Sequence, residues 1–327
     1  MITRKKFING LGGFIAMAPS VLDAKINKEV PSASRIKMAT VGAPNINSFK
    51  NLYTKWLKYE IVEESNVPKE MALSWGAPLS SGKPYVLLRP ESGEDVFIRA
   101  VKIDPVTSYK AMNSWGWNAI EIICEDVDKI HSELIHSEFK HIGGPANLMG
   151  GNSSIRASQY IGPAEEVIYL TCETGDRTKS NLPLPQSDIG RIFIMILAGI
   201  DIDEIESFYA NLFNINLKSG YRFQSKGGLI SQLQNLPEDE LFNLGLMRLR
   251  EKGNSIELDE YKNNTGPRPN TSGQLPPGIA MTTFSVDDLD DLDINFIYKF
   301  INVYEEKRSG VFLGPCGELT ELIEEKR

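Results

Sequence analysis

Ile36-Lys37-Met38-Ala39-Thr40-Val41-Gly42-Ala43-Pro44-Asn45 is a β-rich run closed by a turn, and Ile192-Phe193-Ile194-Met195-Ile196-Leu197-Ala198-Gly199-Ile200-Asp201 repeats its pattern 156 positions later. A helical stripe follows each copy, through Phe49, Leu52, Tyr53, Trp56 and Leu57 in one and Ile205, Phe208, Tyr209, Leu212 and Phe213 in the other. Both stripes keep the i, i+3, i+4, i+7, i+8 spacing of a helix that buries one face. Asn47 or Ser48, and Asp203 in the copy, are the expected N-cap residues. Self-similarity at a fixed period constrains the fold more tightly than local propensity.

The rest of each copy corresponds as well. Gly116 to Asp128 (GWNAIEIICEDVD) matches Gly278 to Asp290 (GIAMTTFSVDDLD), each a glycine, a strand and an acidic turn that can cap a helix. Gly162-Pro163-Ala164-Glu165-Glu166 and Gly314-Pro315-Cys316-Gly317-Glu318 are turns feeding a final strand. Between them lie shorter strand candidates at Pro84 to Arg89, Asp95 to Lys102, Gly245 to Arg250 and Ser255 to Tyr261. The expected order is strand, helix and several strands, four times over, in an α+β chain. Lys262 to Pro277 joins modules three and four, and Glu173 to Ile189 carries the expected domain boundary.

The bulk numbers narrow the function. With 327 residues, 41% hydrophobic and 24% charged, the chain is long enough for two globular domains. A net charge of −8 and the lack of a dense basic run argue against nucleic acid. Three cysteines, none in a CxxC spacing, give neither a thiolate metal site nor a disulfide scaffold. His131, His136 and His141 are spaced by five, which does not stack neighbours on a helical face, so they read as solvated surface. Gly143-Gly144-Pro145 and Gly150-Gly151-Asn152 lack the GxxxxGK of a phosphate loop and read as turns. Trp115 and Trp117 read as core. Thr3-Arg4-Lys5-Lys6-Phe7-Ile8, a weakly apolar stretch and Leu22-Asp23-Ala24 resemble a twin-arginine export signal whose second arginine is Lys5. The expectation is an exported or periplasmic protein with no membrane anchor, and a docked or disordered arm in the cytoplasm is the other reading.

The strand, then Asn45-Ile46-Asn47 or Asp201-Ile202-Asp203, then a helix with Leu52-Tyr53 or Phe208-Tyr209, and the closing Gly314 to Leu322, together resemble the vicinal oxygen chelate (VOC) superfamily. The resemblance covers residues 36 to 327. It implies two tandem VOC domains, each a pair of βαβββ modules curled into a half-open barrel, at residues 35–175 and 190–327. Residues 1–34 form the export-like segment and 176–189 the linker. The superfamily includes glyoxalases, extradiol dioxygenases, epimerases, fosfomycin-inactivating thiol transferases and bleomycin-sequestering proteins. Its chelating members hold one divalent metal through the first and last strands of paired modules.

Carrying those ligand places over gives Met38, Ala119, Ile194 and Met281 on first strands and Phe97, Tyr169, Glu257 and Glu321 on last strands. Two carboxylates and no histidine remain, so no bound metal and no other cofactor is expected. The candidate catalytic residues are Glu257 and Glu321, as acid or base. The candidate ligand-binding residues are Met38, Phe97, Arg99, Glu121, Tyr169 and Met281, with Thr40 and Thr171 on the same expected face. Arg99 and Glu121 are read either as anchors for a ligand or as an ion pair with each other. Cys124 and Cys172 end neighbouring strands on the helix side, where contact is open to them.

The expected partner is therefore a small, partly apolar, oxygenated organic compound, and a homodimer is left open. A metal-independent isomerase or lyase is one reading. A non-catalytic binding protein of the bleomycin-resistance type is the second, and a metal-dependent glyoxalase or dioxygenase follows only if the strand registers differ.

Overall fold

A computed structural model describes residues 30–148, 153–262 and 264–325. The export-like segment Thr3 to Ala24 and Gly150-Gly151-Asn152 lie outside those residues. Module one runs β1 (Ala33–Ala43), α1 (Ile46–Trp56), β2 (Glu60–Asn66), α2 (Lys69–Ser74), β3 (Pro84–Arg89) and β4 (Phe97–Lys102). Module two runs β5 (Gly116–Cys124), α3 (Val127–Leu134), β6 (Lys140–Asn147), β7 (Ile155–Ile161) and β8 (Val167–Glu173). Module three runs β9 (Ile189–Gly199), α4 (Ile202–Phe213), β10 (Tyr221–Lys226), α5 (Leu229–Gln234), β11 (Leu241–Arg248) and β12 (Ser255–Glu260). Module four runs β13 (Gly278–Val286), β14 (Ile301–Tyr304), β15 (Lys307–Leu313) and β16 (Leu319–Glu324). Among the described residues no helix is long and apolar enough to cross a membrane.

The helix starts follow from the turn before them. Asn45 accepts from the Ser48 amide, Asp126 from those of Asp128 and Lys129, and Asp201 from those of Asp203 and Glu204. The caps are thus Asn45 and Asp201, not Asn47, Ser48 or Asp203. An N-cap must stay extended while its side chain bends back onto the first turn, and Asn45 and Asp201 have that backbone. Module four departs from the expected pattern, because no helix follows its acidic turn. Asp287, Asp288, Asp290, Asp291 and Asp293 would set like charges three apart on one helical face, which is unfavourable. Instead Arg308 gathers Asp288 at 3.1 Å, Asp290 at 2.8 Å and Glu324, and Leu289, Leu292 and Phe296 pack without a helix.

The strands form two eight-stranded mixed sheets, and the pairing is not consecutive. One sheet has the order β14-β15-β16-β13-β1-β4-β3-β2 and joins module one to module four. The other has the order β10-β11-β12-β9-β5-β8-β7-β6 and joins module two to module three. The expectation that modules one and two share one half-barrel and three and four the other is corrected here. β1 lies antiparallel to β13, with Ala33 opposite Val286 and Gly42 opposite Gly278, and β5 lies antiparallel to β9. A main core between the helix-bearing faces of both sheets contains Phe49, Tyr53, Trp117, Tyr209, Phe213 and Phe284. Separate apolar clusters fill the hollow face of each sheet.

Consecutive modules are tied through helices instead. Tyr53 on α1 donates its hydroxyl to Glu166 (3.0 Å) in the turn before β8. Tyr209 on α4 does the same to Glu318 (2.7 Å) before β16. Each glutamate also caps its own turn, Glu166 through the Ala164 amide and Glu318 through the Cys316 amide, both at 2.8 Å. The residues that carried the resemblance are therefore the clasps between modules one and two and between three and four.

Candidate functional site

Strand register fixes which side chains share each hollow. In the four modules the parallel first and last strands align Met38 with Phe97, Ala119 with Val167, Ile194 with Ser255 and Met281 with Leu319. Two residues on, the aligned pairs are Thr40 with Arg99, Glu121 with Tyr169, Ile196 with Glu257 and Thr283 with Glu321. Arg99 is thus the counterpart of Glu321, and the placement of Phe97 there is corrected by two residues. A slip of two keeps the side chain on the same face, so alternation could not reveal it.

The first hollow, between modules one and four, is closed around an ion pair. Arg99 donates to Glu321 at 3.3 Å and to the Thr40 hydroxyl at 2.9 Å from the same nitrogen, and it also donates to the Tyr304 hydroxyl. Glu321 accepts from Thr283 (2.7 Å), Tyr304 (2.9 Å) and Trp75 (3.4 Å). The guanidinium also lies 4.6 Å from the ring centroid of Trp75, which follows α2. Arg99 and Glu321 side chains are 1% and 0% exposed. Such a pair holds only because every donor and lone pair is served, and removing one partner strands a buried charge. Met38 and Met281, both buried, complete the lining, and half-buried Phe97 stands beside Met38.

The second hollow, between modules two and three, has no such compensation. Glu121 comes from β5, Tyr169 from β8, and Glu257 and Asp259 from β12, with Tyr261 just beyond it. Glu121 and Asp259 are 4% and 2% exposed, whereas Glu257 and Tyr169 are half-buried and keep a path to solvent. The walls are apolar, including Ile194, Ile196, Phe193 and Phe242, with Leu244 and Leu246 packed against them. Burial pushes Glu121 up to about 7, against the hydrogen bond it accepts from Thr171 at 2.5 Å. Burial alone lifts Asp259 to about 7. Glu257 is raised by burial and then by the charges of Asp259 and Glu121, tempered by its open side. Asp259 Oδ1 and the Tyr261 hydroxyl are buried without a hydrogen-bond partner. Two polar atoms left unserved beside three carboxyl groups mark a place that a ligand can complete.

The structure therefore separates residues that the sequence had grouped. Arg99 does not pair with Glu121, because they occupy different half-barrels; Arg99 pairs with Glu321 instead. Glu257 and Glu321 do not share a cavity. Glu121, Tyr169 and Thr171 line the second hollow, and Met38, Thr40, Phe97, Arg99 and Met281 the first. Sequence reasoning missed Asp259 and Tyr261, although alternation along Glu257, Asp259 and Tyr261 points all three one way. His131 and His141 are in ring contact at 4.6 Å on the surface of module two, with His131 Nδ1 against the Tyr160 hydroxyl. Trp117 is core, as expected.

No protein-family model and no curated protein matches the sequence. Among solved structures, glyoxalase I from Zea mays superposes with a TM-score of 0.57 at 13% identity, covering 89% of this chain and 92% of that one. A putative dioxygenase from Bacillus subtilis subsp. subtilis str. 168 gives the same TM-score at 12% identity, over 89% of this chain and 85% of its own. The fold is that of the VOC proteins. At this identity the likeness carries the fold alone. The residues at the VOC ligand places do not fit a divalent metal. In the first hollow Met38, Met281 and a cationic Arg99 surround Glu321, and a second cation there would meet the guanidinium. In the second, Ala119 and Ile194 offer no donor, which leaves Glu257 and the Tyr169 phenol, held protonated by burial. Among the described residues no three His, Cys, Asp or Glu side chains converge to hold an ion.

Proposed function

We propose that the hollow between modules two and three binds a small, partly apolar, oxygenated organic compound and moves a proton on it, as a metal-independent isomerase or lyase does. The observation that carries this reading is the set of three carboxyl groups, Glu121, Glu257 and Asp259, raised in one apolar hollow, with none of them ion-paired among the described residues. Near neutral pH, ionising one such group disfavours ionising the next, so an acid and a base coexist side by side. The protonated group can donate to a carbonyl oxygen while its ionised neighbour takes a proton from the adjoining carbon. Half-buried Glu257 meets a ligand first. The first hollow serves stability, which moves the catalytic assignment away from Glu321.

The test is proton exchange in deuterium oxide. A panel of 2-oxo and 2-hydroxycarbonyl compounds, followed by NMR, should show deuterium entering the carbon next to the carbonyl of at least one member. Glu257→Gln should abolish that exchange without lowering the unfolding transition. Saturable binding without exchange in the wild type would instead support a sequestering protein, and exchange undiminished in the variant would remove Glu257 from the mechanism.

A further inference from the structure

Cys124 is the last residue of β5 and Cys172 lies near the end of β8. These strands are parallel neighbours aligned through Ile122 with Leu170 and Ile123 with Thr171, so the next aligned pair is the two cysteines. Both are buried on the helix side, 1% and 2% exposed, in the same apolar core. The pair is not symmetric. The Val127 amide at the start of α3 and the charge of Arg177 both favour the Cys172 thiolate. Cys124 faces Asp126 and Glu125, which oppose ionisation. The neighbouring Cys124 thiol, aided by Val127 and Arg177, brings the Cys172 thiol down to about 7, while Cys172 and burial push Cys124 up. A tight crevice lined by Ile123, Cys124, Glu173, Arg177, Ser180 and Leu182 to Pro185 lies against Cys124. Arg177 is anchored there by its bonds to the Glu125 carboxylate (2.6 Å) and carbonyl (2.7 Å).

We propose that Cys172 and Cys124 form a dithiol/disulfide couple, oxidised by small organic disulfides. Cys172 thiolate attacks one sulfur of the disulfide, making a mixed disulfide and expelling the first thiolate. That thiolate takes the Cys124 proton, and Cys124 then attacks Cys172 Sγ, expelling the second, which takes from solvent the proton that Cys172 released on ionising. The protein loses two electrons and two protons in forming one S–S bond, and the small disulfide becomes two thiols. An attacker with a stabilised thiolate, followed by a neighbouring resolving thiol, is what such exchange needs. Half-buried Cys316 has no second sulfur described beside it and serves as an internal control.

The experiment equilibrates the full chain in oxidised and reduced dithiothreitol mixtures, quenches with acid, alkylates under denaturing conditions and maps peptides by mass. The result expected is one two-electron transition yielding a Cys124 to Cys172 cross-link with Cys316 alkylated throughout. Oxidised glutathione should leave an adduct on Cys172 in Cys124→Ser. In Cys172→Ser, an adduct on Cys124 should form about tenfold more slowly, because thiolate fraction governs the rate. Three alkylated cysteines in the wild type at every ratio would overturn the proposal, with no variant required. So would a glutathione adduct that prefers Cys316 over Cys172 in Cys124→Ser.

Discussion

Glu121 and Asp259 each titrate near 7 in the folded chain, against ordinary values of 4.5 and 3.8. Folding therefore takes up protons between those values and about 7. Their contribution to stability is complete below the ordinary range and is lost as pH rises through about 7. Glu121→Gln and Asp259→Asn imitate the protonated forms, so each variant should match the wild type at low pH and exceed it above neutrality. The gap should reach on the order of 3 kcal/mol per group, read from urea unfolding at the two ends of the range. A wild type that still matches the variants at high pH would show these groups to be compensated. A hollow that costs stability at working pH is what a functional site looks like energetically. The inward face of β12 was legible at Glu257, because alternation marks it. The partner of Arg99 was not, since nothing in a sequence distinguishes Glu121 from Glu321 until the sheets are assembled.

At the scale of elements, α1 and α4 were readable from their stripes, and the stripes hold the two clasp tyrosines. The clasps predict unequal losses. Tyr209 bonds both Glu318 and, at 2.9 Å, the Thr320 hydroxyl, whereas Tyr53 has the one bond to Glu166. Burial raises Glu166 and Glu318 to about 7, so each relies on the donors around it. Tyr209→Phe should cost about 1–3 kcal/mol in chemical denaturation and Tyr53→Phe less, since the removed hydroxyls leave buried acceptors unserved. Adding Glu318→Gln to Tyr209→Phe should cost less than it does alone, because the two share one bond. Strict additivity would show that the clasp is a contact without energy. The short helices α2 and α5, six residues each, were invisible to periodicity, which needs two turns or more to declare itself. Trp75, which closes the first hollow, was hidden with α2.

For the whole molecule, the sequence revealed four modules but not their partners. Each first strand is nearly all buried and offers a pairing edge, so β1 could sit beside β5 or β13 with equal propriety. The clasps decide the matter physically. By fastening α1 to the turn before β8 and α4 to the turn before β16, they set modules one and two back to back, which leaves their first strands facing the other half of the chain. Cutting the connection should expose this. Residues 30–175, expressed alone, would bare the inner edges of β1 and β5, and residues 189–327 those of β9 and β13, and unpaired inner edges aggregate or self-associate. Neither fragment should be a soluble monomer, whereas a refolded mixture should give a one-to-one complex with the far-ultraviolet circular dichroism of the intact chain. Two fragments that each fold as independent monomers would mean that consecutive modules can pair after all. The same internal pairing satisfies every first strand within one chain, so light scattering of the intact protein should return the mass of a single copy.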